Sequence, residues 1–427
     1  MKSLRLLLIV AAAWVSVWST AAQATPGFAR QTAKPCSACH FQHHPILNAF
    51  GREFKASGFT LKSMIPEHDD YIEADNLSIP ATLNAALVTK MRYIKTNGDA
   101  KDEGTNTGEI QFPDEAAFFL GGRAGEHVGF NTEITMNSGD SNFTSFKIHL
   151  TDTVGDTRLS VIPFTTDGGG AAYGFELLNT GAQRFQRVAE ERRATAAQQF
   201  IRGTSGLGDA RAAPGEGGAT GIALVASTSK WHVNYTLWHP YWDAAAPHKK
   251  FANYIRAAYT PTIGEWDTAV GVQLWSGASE IVDTSPTGST ATTEVIAKAE
   301  TKASFLDAQA QGSVGGMPLG VYFTYGKAPS DSAGANYYND RPNDIKAWTL
   351  LGELGVMPRL SVFLGYLDGD NGKAASNKDK RTTIGLNWMV AQNSLLQFWN
   401  TSGSGSAYDP KPATGTGTMG IMLFSGF

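Results

Sequence analysis

The sequence predicts a mainly β fold: an outer-membrane antiparallel β-barrel of about 16 strands, preceded by a small helical segment. Three observations lead to this prediction: an export signal, strand-length segments in which apolar and polar residues alternate, and connections that alternate between short and long. Outer-membrane barrels combine alternating strands with short turns on one side and long loops on the other. A soluble β-sandwich also has alternating strands, but aromatic residues on the apolar faces and the unequal connections favour the barrel.

Residues 1–24 have the pattern of a secretory signal peptide. Lys2 and Arg5 precede an apolar stretch over residues 6–18, and Ala22-Gln23-Ala24 provides the small residues of a cleavage site. Beyond residue 24 the chain has no apolar run of roughly 18 residues, so no transmembrane helix is expected. We therefore predict an exported protein.

The composition excludes two classes of protein. Only 17 % of the 427 residues are charged and 46 are glycine, a balance that ordinary soluble domains do not have. The formal net charge of −4 offers no basic surface for nucleic acid, so no nucleic-acid partner is expected. The 2 cysteines are too few for a disulfide-dense secreted scaffold.

Both cysteines lie in the pentapeptide Cys36-Ser37-Ala38-Cys39-His40. The C-x-x-C-H spacing is the attachment motif of a c-type haem, in which two thiols bind the porphyrin and the adjacent imidazole binds iron. A zinc site would need more Cys or His ligands, a thioredoxin-like motif would need a βαβ context, and a disulfide would leave His40 unexplained. We therefore predict one haem c, attached through Cys36 and Cys39, with His40 as the proximal axial ligand.

A short helix is predicted directly after this motif. Pro45 suits the first helical position, and Gly58 suits the position after the last turn. Leu47, Phe50 and Phe54 lie on one face of this helix, at i, i+3 and i+7. They are candidate haem-pocket residues, although the same spacing is typical of packing against any small core.

The distal iron ligand is left open between two residues. His43 and His44 are expected to be too close to His40 in sequence to reach the opposite face of the haem. Met64 and His68 lie further along the chain and are the two candidates. Met64 is preferred, because methionine–histidine ligation raises the reduction potential of a haem.

The strand pattern begins at about residue 81. Residues 230–238, 359–367 and 381–390 alternate cleanly, and period 2 is typical of a β-strand with one wet face. Over residues 81–427, a barrel of 16 strands leaves about 22 residues for each strand and connection, which suits tilted strands of ~10 residues. The alternative is 18 strands. The chain ends on an alternating segment that finishes at the aromatic Phe427, as a final barrel strand does.

Connections alternate in length along this region. Residues 228–229 and 391–394 are short connections, whereas residues 97–109 and 328–343 are long and polar. The longest connection, residues 178–218, is predicted to include a short surface helix at about residues 185–202. Short turns on one side and long loops on the other are typical of outer-membrane barrels.

Several stretches near the N-terminus carry a family resemblance. Residues 29–32, 36–43 and 45–55, followed by parts of residues 80–95 and 111–116, are similar to the fused monohaem cytochrome–porins of iron-oxidising bacteria. The rest of the barrel resembles that family only in architecture. The resemblance implies an outer-membrane protein whose cytochrome segment lies in or under a barrel and takes electrons from extracellular Fe(II).

These predictions combine into one organisation and one function. Residues 1–24 form the signal peptide, residues 25–80 a monohaem cytochrome segment that plugs the barrel, and residues 81–427 the barrel itself. One haem cannot bridge a hydrocarbon core ~30 Å thick, so we expect a periplasmic cytochrome c to accept the electron, as in an iron:cytochrome c reductase. Two alternatives stay open: an outward conduit to extracellular metal acceptors, and a diffusion porin whose haem is structural or sensory.

Overall fold

The structure is a computed structural model that describes residues 26–61, 71–74, 77–80, 84–99, 106–136, 143–203, 213–241, 248–283, 294–331 and 336–427. The predicted signal peptide and both predicted distal ligands, Met64 and His68, lie outside these residues. Of the helices in the described part of the chain, none has the length and apolar character needed to cross a membrane.

Three short helices form the N-terminal segment: α1 (Pro26–Thr32), α2 (Cys36–Cys39) and α3 (Ala49–Ala56). The predicted helix therefore begins later than Pro45. Asn48 sets its start, because the Asn48 side chain accepts a hydrogen bond from the Gly51 N–H and so caps the helix. Gly58 follows the last turn with a φ of 69°, the left-handed conformation that glycine adopts most easily. Residues 26–61 are called the N-terminal segment below.

Sixteen antiparallel strands close into one barrel, which confirms the lower of the two predicted numbers. In chain order they are β1 (Ala85–Thr96), β2 (Glu109–Arg123), β3 (Val128–Thr135), β4 (Phe143–Val154), β5 (Thr157–Thr166), β6 (Ala219–Ser227), β7 (Trp231–His239), β8 (Ala252–Tyr259), β9 (Trp266–Ser276), β10 (Ala303–Val314), β11 (Met317–Ala328), β12 (Ile345–Met357), β13 (Leu360–Asn371), β14 (Lys378–Ala391), β15 (Ser394–Ser404) and β16 (Gly417–Gly426). Strand β16 pairs with β1, where Gly420 lies opposite Ile94, and this pairing closes the barrel.

Short additional strands lie outside this ring. Tyr71–Ala74 pairs with Leu77–Pro80 as a hairpin between the N-terminal segment and β1. His248–Lys250, Ala278–Asp283 and Glu294–Glu300 form a three-stranded sheet in the loops, and Thr262–Ile263 pairs with the start of β9.

The outer surface of the barrel is apolar. On β7, the outward side chains of residues 231, 233, 235 and 237 are between 37 % and 44 % exposed, whereas His232, Asn234 and Thr236 are buried in the interior. Other strands around the barrel repeat this arrangement with the exposed residues Val161, Leu224, Val272, Leu350, Leu364 and Ile384. A closed barrel satisfies its backbone hydrogen bonds internally, and an apolar outer band matches lipid. The protein is therefore an outer-membrane β-barrel.

The two rims of the barrel differ. At one rim the connections are short, at residues 155–156, 315–316 and 392–393. Leu87 and Phe427 exchange backbone hydrogen bonds of 3.0 and 2.8 Å at this same rim, so the barrel begins and ends there. The short-turn rim of outer-membrane barrels faces the periplasm. The N-terminal segment therefore enters the barrel from the periplasmic side.

The longest connection folds into the barrel. Residues 167–203 and 213–218, between β5 and β6, form an inward loop that includes α4 (Arg192–Thr195) and α5 (Ala197–Phe200). The prediction of a surface helix in this region is wrong, because Gln198 and Gln199 are at most 1 % exposed. Their side chains donate hydrogen bonds to carbonyl groups within the loop, and Ala197 donates its N–H to Thr324 on the wall at 2.9 Å.

A buried ion cluster fixes this loop to the barrel wall. Arg256 on β8 contacts Asp307 on β10 at 2.6 Å and Glu176 of the loop at 3.0 Å, and all three side chains are fully buried. Thr180 of the loop also donates to Asp307 at 2.7 Å. Two inserts therefore occupy the lumen: the N-terminal segment from the periplasmic side and the inward loop from the extracellular side.

Candidate functional site

The two cysteines lie at the periplasmic rim. They occupy the two ends of α2, where they are partly exposed and not joined by a disulfide. The Cys36 Sγ is 3.7 Å from the Gln392 carbonyl and from the Asn393 side chain, in the turn between β14 and β15. Helix α3 crosses α2 at Gly51, where a Cβ would collide with the Cys39 carbonyl. Gly51 therefore allows the close packing that fixes the motif inside the barrel.

His40 follows α2 directly, and its ring is oriented by backbone groups. The residue pairs with Leu47 in a short antiparallel bridge, and its Nδ1 is 3.3 Å from the Ile46 carbonyl. A hydrogen bond from Nδ1 leaves Nε2 as the nitrogen available to a metal. Burial lowers the pKa of His40 to about 4, so the ring is neutral, which is the form that binds metals.

A cavity of about 370 Å³ lies beside His40, within the roughly 300–1,000 Å³ of small-molecule and cofactor sites. The N-terminal segment, the inward loop and the wall strands β1, β2, β3, β4, β15 and β16 line it. Its apolar lining includes Phe28, Phe59, Val88, Phe119, Met422 and Phe424.

The predicted pocket residues Leu47, Phe50 and Phe54 do not line this cavity. Helix α3 turns Phe54 against the rings of Phe28 and Phe59, at centroid distances of 5.1 and 5.7 Å, and those two rings face the cavity instead. Phe50 lies under the Lys34 ammonium group. The prediction placed the apolar face of α3 against the haem, whereas this face packs against α1 and the chain after α3.

Basic side chains outnumber acidic ones around the cavity. Six basic residues line it, Lys55, Lys90, Lys147, Arg184, Arg187 and Arg192, against the three acidic residues Glu115, Glu133 and Glu190. Lys55 donates to the amide oxygens of Gln183 and Gln186 at 2.7 and 2.6 Å, and Lys147 donates to the Tyr173 carbonyl at 2.9 Å. Burial lowers the pKa of Lys55 to about 8, although Glu176 raises it in part. The surplus of basic side chains suits a ligand that carries carboxylates.

His43 and His44 have different surroundings. The His43 Nε2 is 2.8 Å from a Glu353 carboxylate oxygen, and both side chains are buried. Asn387 donates to the same carboxylate oxygen at 2.9 Å, so this network ties the segment to β12 and β14. Against the cost of burial, Glu353 raises the pKa of His43. His44 faces the cavity with His40, and its ring is 4.8 Å from that of Phe424.

The residues present fit a c-type haem. Three features lie together at the periplasmic rim: the thiols of Cys36 and Cys39, the oriented neutral His40, and a mainly apolar cavity that basic side chains also line. The sequence predicted the motif but missed Phe28, Phe59, His44, Met422 and Phe424 as cavity residues. Alternation in the last strand could have identified Met422 and Phe424, which lie on the face opposite the apolar outer residues.

No protein-family model matches the chain, and no curated protein matches it. Solved structures with a similar fold are outer-membrane proteins. The anion-selective porin from Comamonas acidovorans has a TM-score of 0.49 and 12 % identity, and the match covers 81 % of this chain and 99 % of that chain. OmpT of Vibrio cholerae has a TM-score of 0.45 and 11 % identity over 84 % of this chain and 100 % of that chain. A mutant of the Rh. blastica porin has a TM-score of 0.48 and 10 % identity over 81 % and 100 %.

Proposed function

We propose that this protein is an outer-membrane electron-transfer protein that oxidises extracellular Fe(II) and passes the electron to a periplasmic cytochrome c. The observation that carries the proposal is the Cys36, Cys39 and His40 set beside a mainly apolar cavity at the periplasmic rim of a barrel. A haem bound there would accept and release one electron at a time, which matches the oxidation of one Fe(II) to Fe(III).

The chain supplies three kinds of contact for such a group. Cys36 and Cys39 would hold it covalently, and His40 would present Nε2 to the metal while the Ile46 carbonyl fixes the ring. Lys55 and Lys147, which both line the cavity, would pair with its carboxylates. Phe28 and Phe59 exclude water from one side of the cavity. Cys36 lies next to the turn at residues 392–393, so a periplasmic carrier can approach closely.

The filled lumen favours electron transfer over diffusion. An unobstructed barrel of 16 strands encloses an aqueous channel. Here the N-terminal segment and the inward loop occupy that space, and each is held to the wall by an ion pair: Arg52 of the segment with Asp267 at 2.7 Å, and Glu176 of the loop with Arg256 at 3.0 Å. A sealed barrel keeps poorly soluble Fe(III) outside the cell while it holds a redox centre in the membrane.

The direction of transfer distinguishes the proposal from an outward conduit to extracellular acceptors. Within the described part of the chain, no group of three or more His, Cys, Asp or Glu side chains is arranged to hold a metal ion. The iron contact is therefore not assigned to particular residues. The kinetics of haem reduction decide the direction of electron transfer instead.

Stopped-flow mixing tests the proposal. The purified, oxidised protein is mixed with Fe(II), and the haem α-band is followed. We expect rapid reduction of the wild type, followed by transfer to a soluble c-type cytochrome. The Cys36→Ser/Cys39→Ser variant should show no haem by the pyridine haemochrome assay and no reduction. A haem that Fe(II) leaves oxidised, but that a low-potential periplasmic donor reduces, would favour the outward conduit.

A further inference from the structure

His44 has an unpartnered nitrogen inside the cavity. Its Nε2 is buried and has no hydrogen-bond partner, in a structure whose neighbouring His43 is bonded at both ring nitrogens. Leaving a buried polar nitrogen without a partner is unfavourable, because the group has lost its hydrogen bonds to water. Such a group is usually explained by a ligand, an ion or a water that completes its bonding.

His44 and His40 are spaced as two imidazoles on one metal would be. Their ring centroids are 6.4 Å apart and the ring planes are inclined by 79°. Two imidazoles on opposite sides of one metal ion have centroids about 6 Å apart, since each nitrogen lies ~2 Å from the metal and about 1 Å from its ring centre. The His44 ring also contacts the Phe424 ring directly, at a centroid distance of 4.8 Å.

The hairpin of residues 40–47 brings the two rings together. His40 pairs with Leu47, and the Phe41 N–H donates to the Ile46 carbonyl at 2.9 Å, so the chain reverses between them. From its place in the sequence, His44 is expected to be too close to His40 to reach the opposite face of the haem. Because the chain reverses, the two rings can face each other despite this short separation. Phe424 on β16 supports the His44 ring from the barrel wall.

We propose that His44 is the distal axial ligand of the haem iron, opposite His40. This inference rests on the proposed function, because it requires a haem at Cys36 and Cys39. It replaces the sequence-based candidates Met64 and His68. Two histidines give a lower reduction potential than methionine and histidine. Fe(II) remains a suitable donor, because precipitation of Fe(III) near neutral pH keeps the product concentration low.

Met422 is the competing side chain among the described cavity residues. It lies on β16, two residues before Phe424, and its thioether faces the same cavity. The His44 ring is nearer to the proximal ligand in sequence and is held against Phe424, whereas Met422 belongs to the apolar cluster of the wall. A methionine-ligated spectrum would therefore contradict the inference.

Spectroscopy of the purified full-length protein in detergent tests this ligand. Haem content is measured first by pyridine haemochrome, and ligation is then read by electron paramagnetic resonance and near-infrared magnetic circular dichroism of the oxidised form. We expect low-spin bis-histidine ligation in the wild type and high-spin iron in His44→Ala, with low spin restored by added imidazole. His44→Met should show the methionine–histidine charge-transfer band and a higher midpoint potential. His127→Ala, at an exposed histidine of a periplasmic turn, should match the wild type.

The outcomes separate the two proposals. A wild type without covalent haem would contradict the proposed function and this inference together. Haem of normal content with an unchanged low-spin spectrum in His44→Ala would overturn only the assignment of His44. A methionine–histidine band in the wild type would do the same, and its loss in Met422→Leu or Met64→Leu would identify the ligand.

Discussion

His40, His43 and His44 lie within five residues and are used in three different ways. His40 is oriented by a backbone carbonyl, His43 is bonded to a buried carboxylate on the wall, and His44 has a free nitrogen in the cavity. Burial lowers the pKa values of His40 and His44, to about 4 and about 3, whereas Glu353 raises the pKa of His43. One histidine is therefore an electrostatic anchor, and the other two are neutral and suited to metal.

The buried pair of His43 with Glu353 predicts that Glu353→Ala loosens the N-terminal segment. This change leaves His43 buried without its partner, and breaking a buried pair costs about 3–5 kcal/mol. We expect the N-terminal segment to become sensitive to limited proteolysis at a lower temperature, while the barrel keeps its heat-dependent electrophoretic mobility. Asp152→Ala removes the partner of His127, an exposed pair 3.6 Å apart, and should change neither property. Equal protease resistance in Glu353→Ala and the wild type would show that this network does not hold the segment.

The lowered pKa of Lys55 predicts how the stability of the folded protein depends on pH. Its pKa of about 8 lies below the ~10.4 of an unfolded lysine, so between these values the unfolded chain binds a proton that the folded chain has lost. Stability should therefore rise with pH over this window, and the cost of burying the charge is fully present below about pH 8. We expect the thermal midpoint of haem-free Cys36→Ser/Cys39→Ser to rise from about pH 8 to about 10.

Two comparisons check this assignment. Adding Lys55→Met to the haem-free protein should flatten the rise, whereas Lys34→Met, at an exposed lysine of the same segment, should leave it unchanged. The haem-bearing wild type should show a smaller rise, because carboxylates beside Lys55 would raise its pKa. A slope that survives Lys55→Met would assign the effect to other groups.

At the scale of elements, the inward loop depends on the buried cluster of Arg256, Asp307 and Glu176. Arg256→Met leaves two carboxylates buried without their cation, a loss of about 3–5 kcal/mol. We expect the loop to leave the lumen in this variant, with a several-fold rise in single-channel conductance in planar bilayers. Lys250→Met removes an exposed lysine that pairs with Glu280 in the sheet of the loops, and it should conduct like the wild type. A wild type that already conducts like an open porin would contradict the filled lumen.

The elements differ in how well the sequence predicted them. Strand β7 was predictable, because its alternating residues 231–238 face lipid on one side and the lumen on the other, and this contrast is local. The inward loop was not, because Gln198 is polar and its burial depends on distant partners such as the Thr180 carbonyl. The candidate site divides in the same way: C-x-x-C-H is a local motif, whereas the approach of His44 to His40 depends on the hairpin between them.

At the scale of the whole molecule, the proposed function requires the barrel to separate an extracellular donor from a periplasmic acceptor. The N-terminal segment is held by ion pairs to different strands, Arg52 with Asp267 and Glu53 with Arg158, both at 2.7 Å. The cysteines lie at the periplasmic rim, and the inward loop covers the extracellular side of the cavity. Electrons should therefore cross this barrel while ions do not.

Proteoliposomes distinguish these two kinds of transport. With oxidised soluble cytochrome c trapped inside and Fe(II) added outside, the wild type should reduce the trapped cytochrome, because a haem held by Cys36 and Cys39 would supply a one-electron relay. Cys36→Ser/Cys39→Ser should not, since its lumen stays filled but carries no redox centre. Reduction by both proteins would mean that Fe(II) itself passes through the barrel, as through a diffusion porin. Reduction by neither, with haem present in the wild type, would contradict inward transfer, because a sealed barrel with a working relay cannot give that result.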